Sequence, residues 1–201
     1  MQIDAVFSII IFIFSVIIHE VSHGYAAYLQ GDNTAKFKGR LTLNPIPHID
    51  LFGSILLPLT LILSGSSMVV GWAKPVPFNP YNLRNQRWGE AIVAIAGPLS
   101  NIVIAIFFGI IIRIGLFPAL LNPFIDIVLI NLVLATFNLV PIPPLDGSKI
   151  LFSLFPNNLA EVKEFLERYG MFLLIFFIFF LWQYVFPLIS VEFSLLTGLA
   201  F

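Results

Sequence analysis

The chain has 201 residues, of which 59 % are hydrophobic and only 10 % are charged. A soluble globular domain has roughly 45–50 % apolar and about 25 % charged residues, so this composition excludes both an ordinary soluble domain and a disordered chain. The net charge of −1 gives no sign of nucleic-acid binding, and the lack of cysteine excludes disulfides and cysteine metal sites. The sequence predicts a single membrane-embedded domain over residues 1–201.

Five segments are apolar enough to enter a bilayer. In chain order they are residues 5–29, 51–70, 90–112, 124–141 and 169–189. Segment 1 would be about 37 Å long as a helix, which is enough to cross a hydrocarbon core of about 30 Å. Neither a basic leader region nor a small-residue cleavage site accompanies it, so we expect segment 1 to stay in the mature protein.

The connections between these segments contain two stretches that resemble strands. Residues 36–43 alternate in part between polar and apolar side chains, and two prolines keep residues 71–78 extended. A strand that contains proline belongs at an edge. The predicted fold is therefore an all-α polytopic membrane protein with four full transmembrane helices, one re-entrant or broken apolar segment, and short interfacial β-strands.

Segment 1 contains the sequence His19-Glu20-Val21-Ser22-His23. Residues four apart share one face of a helix, so both imidazoles can point at one metal ion, and Glu20 lies beside them as a candidate proton acceptor. Ionisable groups inside an apolar span cost several kcal/mol unless they are paired or bound to a metal. The pattern therefore favours a metal site over a simple polar cluster.

A catalytic zinc ion usually takes a third ligand from the protein. The chain offers His48, its only other histidine, or a carboxylate in the polar cluster of residues 138–147. Three prolines break the helix after Asn138, and Asp146 stands at the end of that break. An alternative is that Asp146 caps the amphipathic stretch that follows, residues 148–155.

The histidine motif in a membrane helix, together with Asn-x-x-Pro-x-x-x-Leu-Asp-Gly at residues 138–147, resembles the site-2 protease family of intramembrane zinc metalloproteases. Residues 96–101, Ala-Gly-Pro-Leu-Ser-Asn, also resemble that family's motif at the start of its middle core helix. The resemblance implies a minimal prokaryotic member without a PDZ or other soluble domain. It implies a catalytic core over residues 5–155 and an additional C-terminal helix over residues 169–189.

The same resemblance implies the roles of the site residues. His19, His23 and Asp146 would bind one zinc ion, and Glu20 would be the general base. Asn138 would lie beside the site and help to hold the substrate or the oxyanion.

Two further polar residues are assigned with less support from the motif. We expect Asn101 to hydrogen-bond across helices near the site. We expect His48 to be a loop histidine at the membrane interface, while a role against the substrate or beside the metal ligands stays open.

The depth of the two polar clusters predicts the path of segment 2, which begins at Leu51 and ends at Val70. His19 and Asn138 each lie about 21 Å along their helices, so the clusters meet only if segments 1 and 4 run in the same direction. A re-entrant segment 2 gives that arrangement. It also separates only Arg113 from the other nine basic residues, a strong positive-inside bias that places the site nearer the cytoplasmic face.

The function implied by the resemblance is hydrolysis of peptide bonds within transmembrane segments, as in regulated intramembrane proteolysis at the cell membrane. The expected partners are a transmembrane protein substrate and the lipid bilayer, and a regulatory membrane partner or a homo-oligomer stays open. The alternatives are an inactive homologue that binds membrane helices and a transporter of metal or protons. We find no internal repeat, which disfavours the transporter.

Overall fold

A computed structural model describes residues 2–56, 60, 63–64, 73–156 and 159–200. The α-helices are α1 (Gln2–Leu29), α2 (Thr34–Phe37), α3 (Gly89–Arg113), α4 (Leu121–Asn138), α5 (Asp146–Leu154), α6 (Ala160–Phe176) and α7 (Trp182–Thr197). Short 3-10 turns occupy Ile46–His48, Pro80–Asn82 and Pro118–Leu120. Wider π-helical turns occupy Leu51–Leu56 and Phe177–Leu181.

Among the residues that the structure describes, four helical spans are long and apolar enough to cross a membrane. They are Val6–Leu29, Gly89–Arg113, Pro118–Asn138 and Ala160–Thr197. These spans coincide with predicted segments 1, 3, 4 and 5, which confirms the predicted all-α polytopic fold. The protein is a multi-pass membrane protein.

The last span is longer than predicted at both ends. Helices α6 and α7 are joined through the π-helical turn, so one helical rod continues from Ala160 to Thr197. Charged side chains in its first turns form an ion pair within the helix, with Lys163 Nζ 3.8 Å from Glu167 Oε1. The rod ends at Gly198, whose φ of +76° is a left-handed conformation that glycine adopts without a steric penalty.

Helices α1 and α4 run in the same direction. Ser8 Oγ donates to Asp126 Oδ2 at 2.9 Å. Further along both helices, Asn131 Nδ2 donates to Ser15 Oγ at 3.0 Å. Because the contacts advance together along both chains, the two helices are parallel, as the depth argument from the sequence predicted.

Helix α3 runs antiparallel to α1. His23 contacts Val93 near the start of α3, whereas His19, one turn earlier in α1, contacts Asn101 two turns later in α3. The end of α1 and the start of α3 therefore lie at the same end of the bundle. We call this end, which also carries the two histidines, the site end.

The connection between α1 and α3 begins and ends at the site end. The backbone N–H of Lys74 donates to the carbonyl of His48 at 2.9 Å, so the two flanks of predicted segment 2 lie side by side. A re-entrant segment requires such neighbouring flanks. Most of residues 51–70 lie outside the described residues, apart from the π-helical turn Leu51–Leu56.

The strand interpretation of the two connections is wrong for the residues that the structure describes, which contain no β-strand. Residues 36–43 begin inside α2, because the Asp32 carboxylate accepts hydrogen bonds from the backbone N–H and hydroxyl of Thr34 and so supports a helical turn there. Residues 73–79 are extended without a strand partner. Pro75 and Pro77 lack the N–H groups that a sheet ladder needs.

A core of small and branched side chains joins α3, α4 and α7. Its buried members are Ala105, Ile112, Val128, Leu132, Ile189 and Phe193. The core fixes α3 and α4 against each other. These two helices position the groups that surround the histidines of α1.

Candidate metal centre

His19 and His23 present their imidazoles from consecutive turns of α1. The two ring centroids are 4.6 Å apart and the rings are nearly perpendicular. Both Nε2 atoms lie 3.1 Å from the same oxygen, Oδ2 of Asp146. The helical spacing therefore places two ring nitrogens at one point, as the sequence predicted.

Asp146 reaches the histidines because the chain breaks between α4 and α5. At Gly147, a Cβ atom would lie 2.2 Å from the carbonyl oxygen of Leu139, so the missing side chain allows α5 to begin directly against the break. Asp146 is the first residue of α5 and is 7 % exposed, whereas Leu145 occupies the cap position. The alternative in which Asp146 caps the helix is wrong, because its carboxylate faces the histidines instead.

The Asp146 carboxylate is ionised in this setting. Burial alone would raise its pKa, but its contacts with His19 and His23 outweigh that effect and lower the pKa below the ordinary range. Lys149, one turn later in α5, places Nζ 3.7 Å from Asp146 Oδ1. An ionised Asp146 carboxylate therefore lies between the two histidines and Lys149.

The hydrogen bonds on the far side of each imidazole define its free nitrogen. His19 Nδ1 lies 2.6 Å from Asn101 Oδ1, and His23 Nδ1 lies 2.7 Å from the carbonyl oxygen of Val93. Both partners are acceptors, so each Nδ1 carries a proton, and Nε2 is the ring nitrogen that would bind a metal. The two Nε2 atoms and the Asp146 carboxylate converge on one point, where a metal cation could bind all three.

The three ligand atoms fit a zinc ion in chemistry and in space. They lie within 4.8 Å of one another, and two imidazoles with one carboxylate form a donor set that zinc accepts. Gly97 on α3 borders the cluster, where a Cβ atom would lie 2.4–2.5 Å from the Nε2 atoms of both histidines. The space beside these nitrogens exists because residue 97 has no side chain.

A chain of buried amides supports His19, and the sequence analysis missed most of it. Asn101 Nδ2 donates to Asn131 Oδ1 at 2.8 Å, which fixes the Asn101 amide so that its oxygen faces His19. Asn131 in turn donates to Ser15 Oγ. Ser15 lies one helical turn before His19, and Asn131 lies seven residues before Asn138, so helical periodicity from the motifs could have identified both.

Glu20 lies beside the cluster but is held by a different part of the chain. Its Oε2 accepts a hydrogen bond of 2.8 Å from the backbone N–H of Val76, in the extended stretch that returns from segment 2. The buried Arg40 lies close enough to feel the Glu20 charge, which acts against the lowering of the Arg40 pKa by burial. The motif identified Glu20 but gave no indication of these partners.

The contacts of His48 lie in the connection between α1 and α3. Its ring Nε2 donates to the carbonyl oxygen of Thr42 at 2.9 Å, and its side chain is 2 % exposed. In the part of the chain that the structure describes, Asp146 rather than His48 completes the group of potential metal ligands.

Asn138 ends α4, and its side-chain amide donates to the carbonyl oxygen of Leu134 in the same helix at 2.9 Å. Its role with substrate or oxyanion stays a prediction.

Comparison with known proteins identifies the family of this chain. The model of peptidase family M50 matches residues 7–123 and 115–181. The chain is 40 % identical over 190 residues to "Putative zinc metalloprotease YwhC" of Bacillus subtilis (strain 168), a match that covers 90 % of this chain and 80 % of that protein. No solved structure matches the chain.

More distant relatives have similar names. The chain is 31 % identical over 141 residues to "Putative zinc metalloprotease Rip2" of Mycolicibacterium smegmatis, which covers 66 % of this chain and 51 % of the relative. A 61-residue region is 48 % identical to "Putative zinc metalloprotease MJ0611" of Methanocaldococcus jannaschii, over 29 % of this chain and 31 % of the relative. The chain therefore belongs to peptidase family M50, the site-2 protease family of metallopeptidases.

Proposed function

We propose that this protein is an intramembrane zinc metalloprotease that hydrolyses peptide bonds within transmembrane segments of other membrane proteins. The observation that carries the proposal is the convergence of His19, His23 and Asp146 at one point beside Glu20, inside a bundle of membrane-spanning helices. Membership in peptidase family M50 supports the same chemistry.

His19, His23 and Asp146 would hold the zinc ion. Bound zinc supplies a Lewis acid that polarises a carbonyl and makes water acidic enough to ionise near neutral pH. The Glu20 carboxylate would accept a proton from the attacking water and later pass it to the leaving amine. Asn101 and the Val93 carbonyl would hold the two imidazoles in the tautomer that leaves Nε2 free for the metal.

The substrate proposed is a transmembrane helix that unwinds near the site end. A helix uses its own carbonyl groups in internal hydrogen bonds, so the scissile bond becomes accessible only after local unwinding. Asn138 ends α4 next to the irregular residues 139–145, where it could donate to the developing oxyanion. Regulation by a membrane partner or by self-association is compatible with this scheme and forms part of the proposal.

The proposed orientation places the site end toward the cytoplasm of the cell. Basic residues of the connection between α1 and α3 accompany the site end, whereas Arg113 ends α3 at the opposite end of the bundle. Because basic loops are retained on the cytoplasmic side, this distribution supports a cytoplasmic site. Labelling of cysteines introduced at Lys38 and at Leu116 by an impermeant reagent should reach only Leu116 from outside intact cells.

The function is tested with purified protein in lipid nanodiscs. We expect stoichiometric zinc by elemental analysis and cleavage of transmembrane peptides by the wild type. Glu20→Gln should retain zinc and lose cleavage, whereas His23→Ala should lose both. Zinc without cleavage by the wild type would favour an inactive homologue or a transporter, and a wild type without zinc affinity would refute the metal site itself.

A further inference from the structure

The last connection before α3 passes over α1 as an extended strap, which we define as residues 73–79. Pro75 and Pro77 fix their own φ angles and keep the preceding residues extended. The side chain of Val76 is 6 % exposed and packs against Gly24, where a Cβ atom would lie 2.8 Å from Val76 Cγ1. The strap thus approaches α1 one turn after Glu20.

Both ends of the strap are fixed by hydrogen bonds to its backbone. At one end, the Lys74 N–H donates to the carbonyl of His48 at 2.9 Å. At the other end, the Asn79 N–H donates to Asp32 Oδ2 at 2.7 Å, and the Asp32 side chain is fully buried. Hydrogen bonds at both ends therefore fix the position of the strap beside α1.

Between these ends, the strap has one backbone N–H group that can donate a hydrogen bond to Glu20. Val76 lies between two prolines, which have no N–H, so its own N–H is the only backbone donor of residues 75–77. This N–H donates to Glu20 Oε2 at 2.8 Å. A backbone donor to a carboxylate forms a strong, charge-assisted hydrogen bond that restricts the carboxylate orientation.

Arg40 hydrogen-bonds to the two strap residues that precede Val76. Its Nη2 donates to the carbonyl oxygen of Lys74 at 2.7 Å and to that of Pro75 at 3.3 Å. The Arg40 side chain is 7 % exposed, and a buried cation is costly unless it is paired or hydrogen-bonded. Its position is explained by the strap carbonyls together with the nearby Glu20 charge.

We propose that Arg40 is a positioning residue for the general base: by holding the carbonyls of Lys74 and Pro75 it places the Val76 N–H, which orients the Glu20 carboxylate beside the metal ligands. The inference rests on the proposed protease function, because it assigns Arg40 and Val76 to the reaction of Glu20. It adds a second support to the site, separate from the amides that hold His19.

The contact itself is tested without zinc or activity, by amide hydrogen exchange of peptides spanning residues 73–79 in the zinc-free protein. The wild type should show a slowly exchanging amide that is absent from Val76→Pro and exchanges at least about tenfold faster in Arg40→Ala. Lys38→Ala, which removes an exposed basic side chain from the same loop, is the matched control and should exchange like the wild type. Equal exchange in Arg40→Ala and the wild type would overturn the proposal.

The functional consequence is tested by steady-state cleavage. Val76→Pro removes the donor N–H together with the branched side chain. Val76→Ala is its control, because it loses the branched side chain and keeps the N–H. We expect Val76→Pro and Arg40→Ala to lower kcat by about 10–100-fold with KM and zinc content close to those of the wild type. Arg40→Lys should recover part of the loss, since lysine can donate to one carbonyl but lacks the fork of the guanidinium.

The outcomes separate this inference from the proposed function. A wild type that cleaves, with Val76→Pro as active as Val76→Ala or faster, would overturn the positioning role and leave the protease intact. A wild type that binds zinc but does not cleave would overturn the function from which Arg40 takes its role. Loss of zinc in Arg40→Ala or Arg40→Lys would also overturn the inference, because it would show a structural effect on the ligands.

Discussion

The three candidate metal ligands are held by helices, whereas the adjacent Glu20 carboxylate is held by an extended connection. His19 and His23 are supported by Asn101 and Val93 of α3, and Asp146 stands at the start of α5. Glu20, although it belongs to the same helix as the histidines, takes its hydrogen bond from Val76 of the strap. In the proposed function, metal affinity and proton transfer would therefore depend on separate parts of the fold and should respond to different substitutions.

Among substitutions near the helix-held metal ligands, Gly97→Ala should have the largest effect on zinc binding. The new methyl group would occupy space 2.4–2.5 Å from the Nε2 atoms of both histidines, while alanine itself is well tolerated in a helix. We expect a folded protein without stoichiometric zinc, measured by elemental analysis. Gly109→Ala is the control, because its methyl group would also meet a close neighbour, Leu196 Cβ at 2.9 Å, but away from the histidines; this variant should bind zinc. Full zinc occupancy in Gly97→Ala would contradict the position assigned to the metal.

Asn101→Ala should weaken zinc binding by about 10–100-fold, because it removes the acceptor that fixes the His19 tautomer. Asn131→Ala, one hydrogen bond further from the metal, should cost less than about tenfold. Competition with a chelator measures both affinities. Equal losses in the two variants would show that the amides act as a unit and that distance from His19 does not matter.

On the strap side, Asp32→Asn should lower stability by about 1–3 kcal/mol while zinc content stays unchanged at pH 7. Burial acts to raise the pKa of Asp32, but hydrogen bonds from Thr34, Asn82 and the Asn79 backbone outweigh it and lower the pKa. A carboxyl whose pKa is lower in the folded state stabilises the fold above its unfolded pKa of about 3.9. Thermal unfolding should therefore separate wild type from variant at pH 7, and the gap should shrink as the pH falls below about 4. A gap independent of pH would argue against a stabilising Asp32 charge.

The smallest effect on zinc affinity should come from Lys149→Gln. Lys149 lies between the metal ligand candidate Asp146 and the strap. Lys149 Nζ lies 3.7 Å from Asp146 and also 5.5 Å from the ring centroid of Phe78 in the strap. Because its side chain is 37 % exposed, the ion pair is screened and contributes little. We expect zinc affinity within about threefold of the wild type in chelator competition. A change as large as that in Asn101→Ala would show that the strap and the metal ligands are coupled through α5.

Local patterns predicted the spans and the histidine pair well. Hydrophobicity over about 20 residues identifies a membrane helix without knowledge of its neighbours, and a spacing of four residues places His19 and His23 on one face. The parallel course of α1 and α4 was also predicted, because depth and charge placement limit how the helices can be arranged. The predicted strands were wrong, since the short polar alternation of residues 36–43 competes with the helical turn that Asp32 and Thr34 support.

By itself, the sequence determined that this protein lies in a membrane, which helices cross it, and that His19 and His23 share a face, because these properties follow from composition and helical repeat. The family resemblance already implied that Asp146 joins the histidines, and the tertiary structure places these three residues together. Only the tertiary structure decided that Asn131 supports Asn101 and that the strap holds Glu20. These contacts join residues 30 to 127 positions apart. They depend on how the helices pack and where the connections return, which no local pattern specifies.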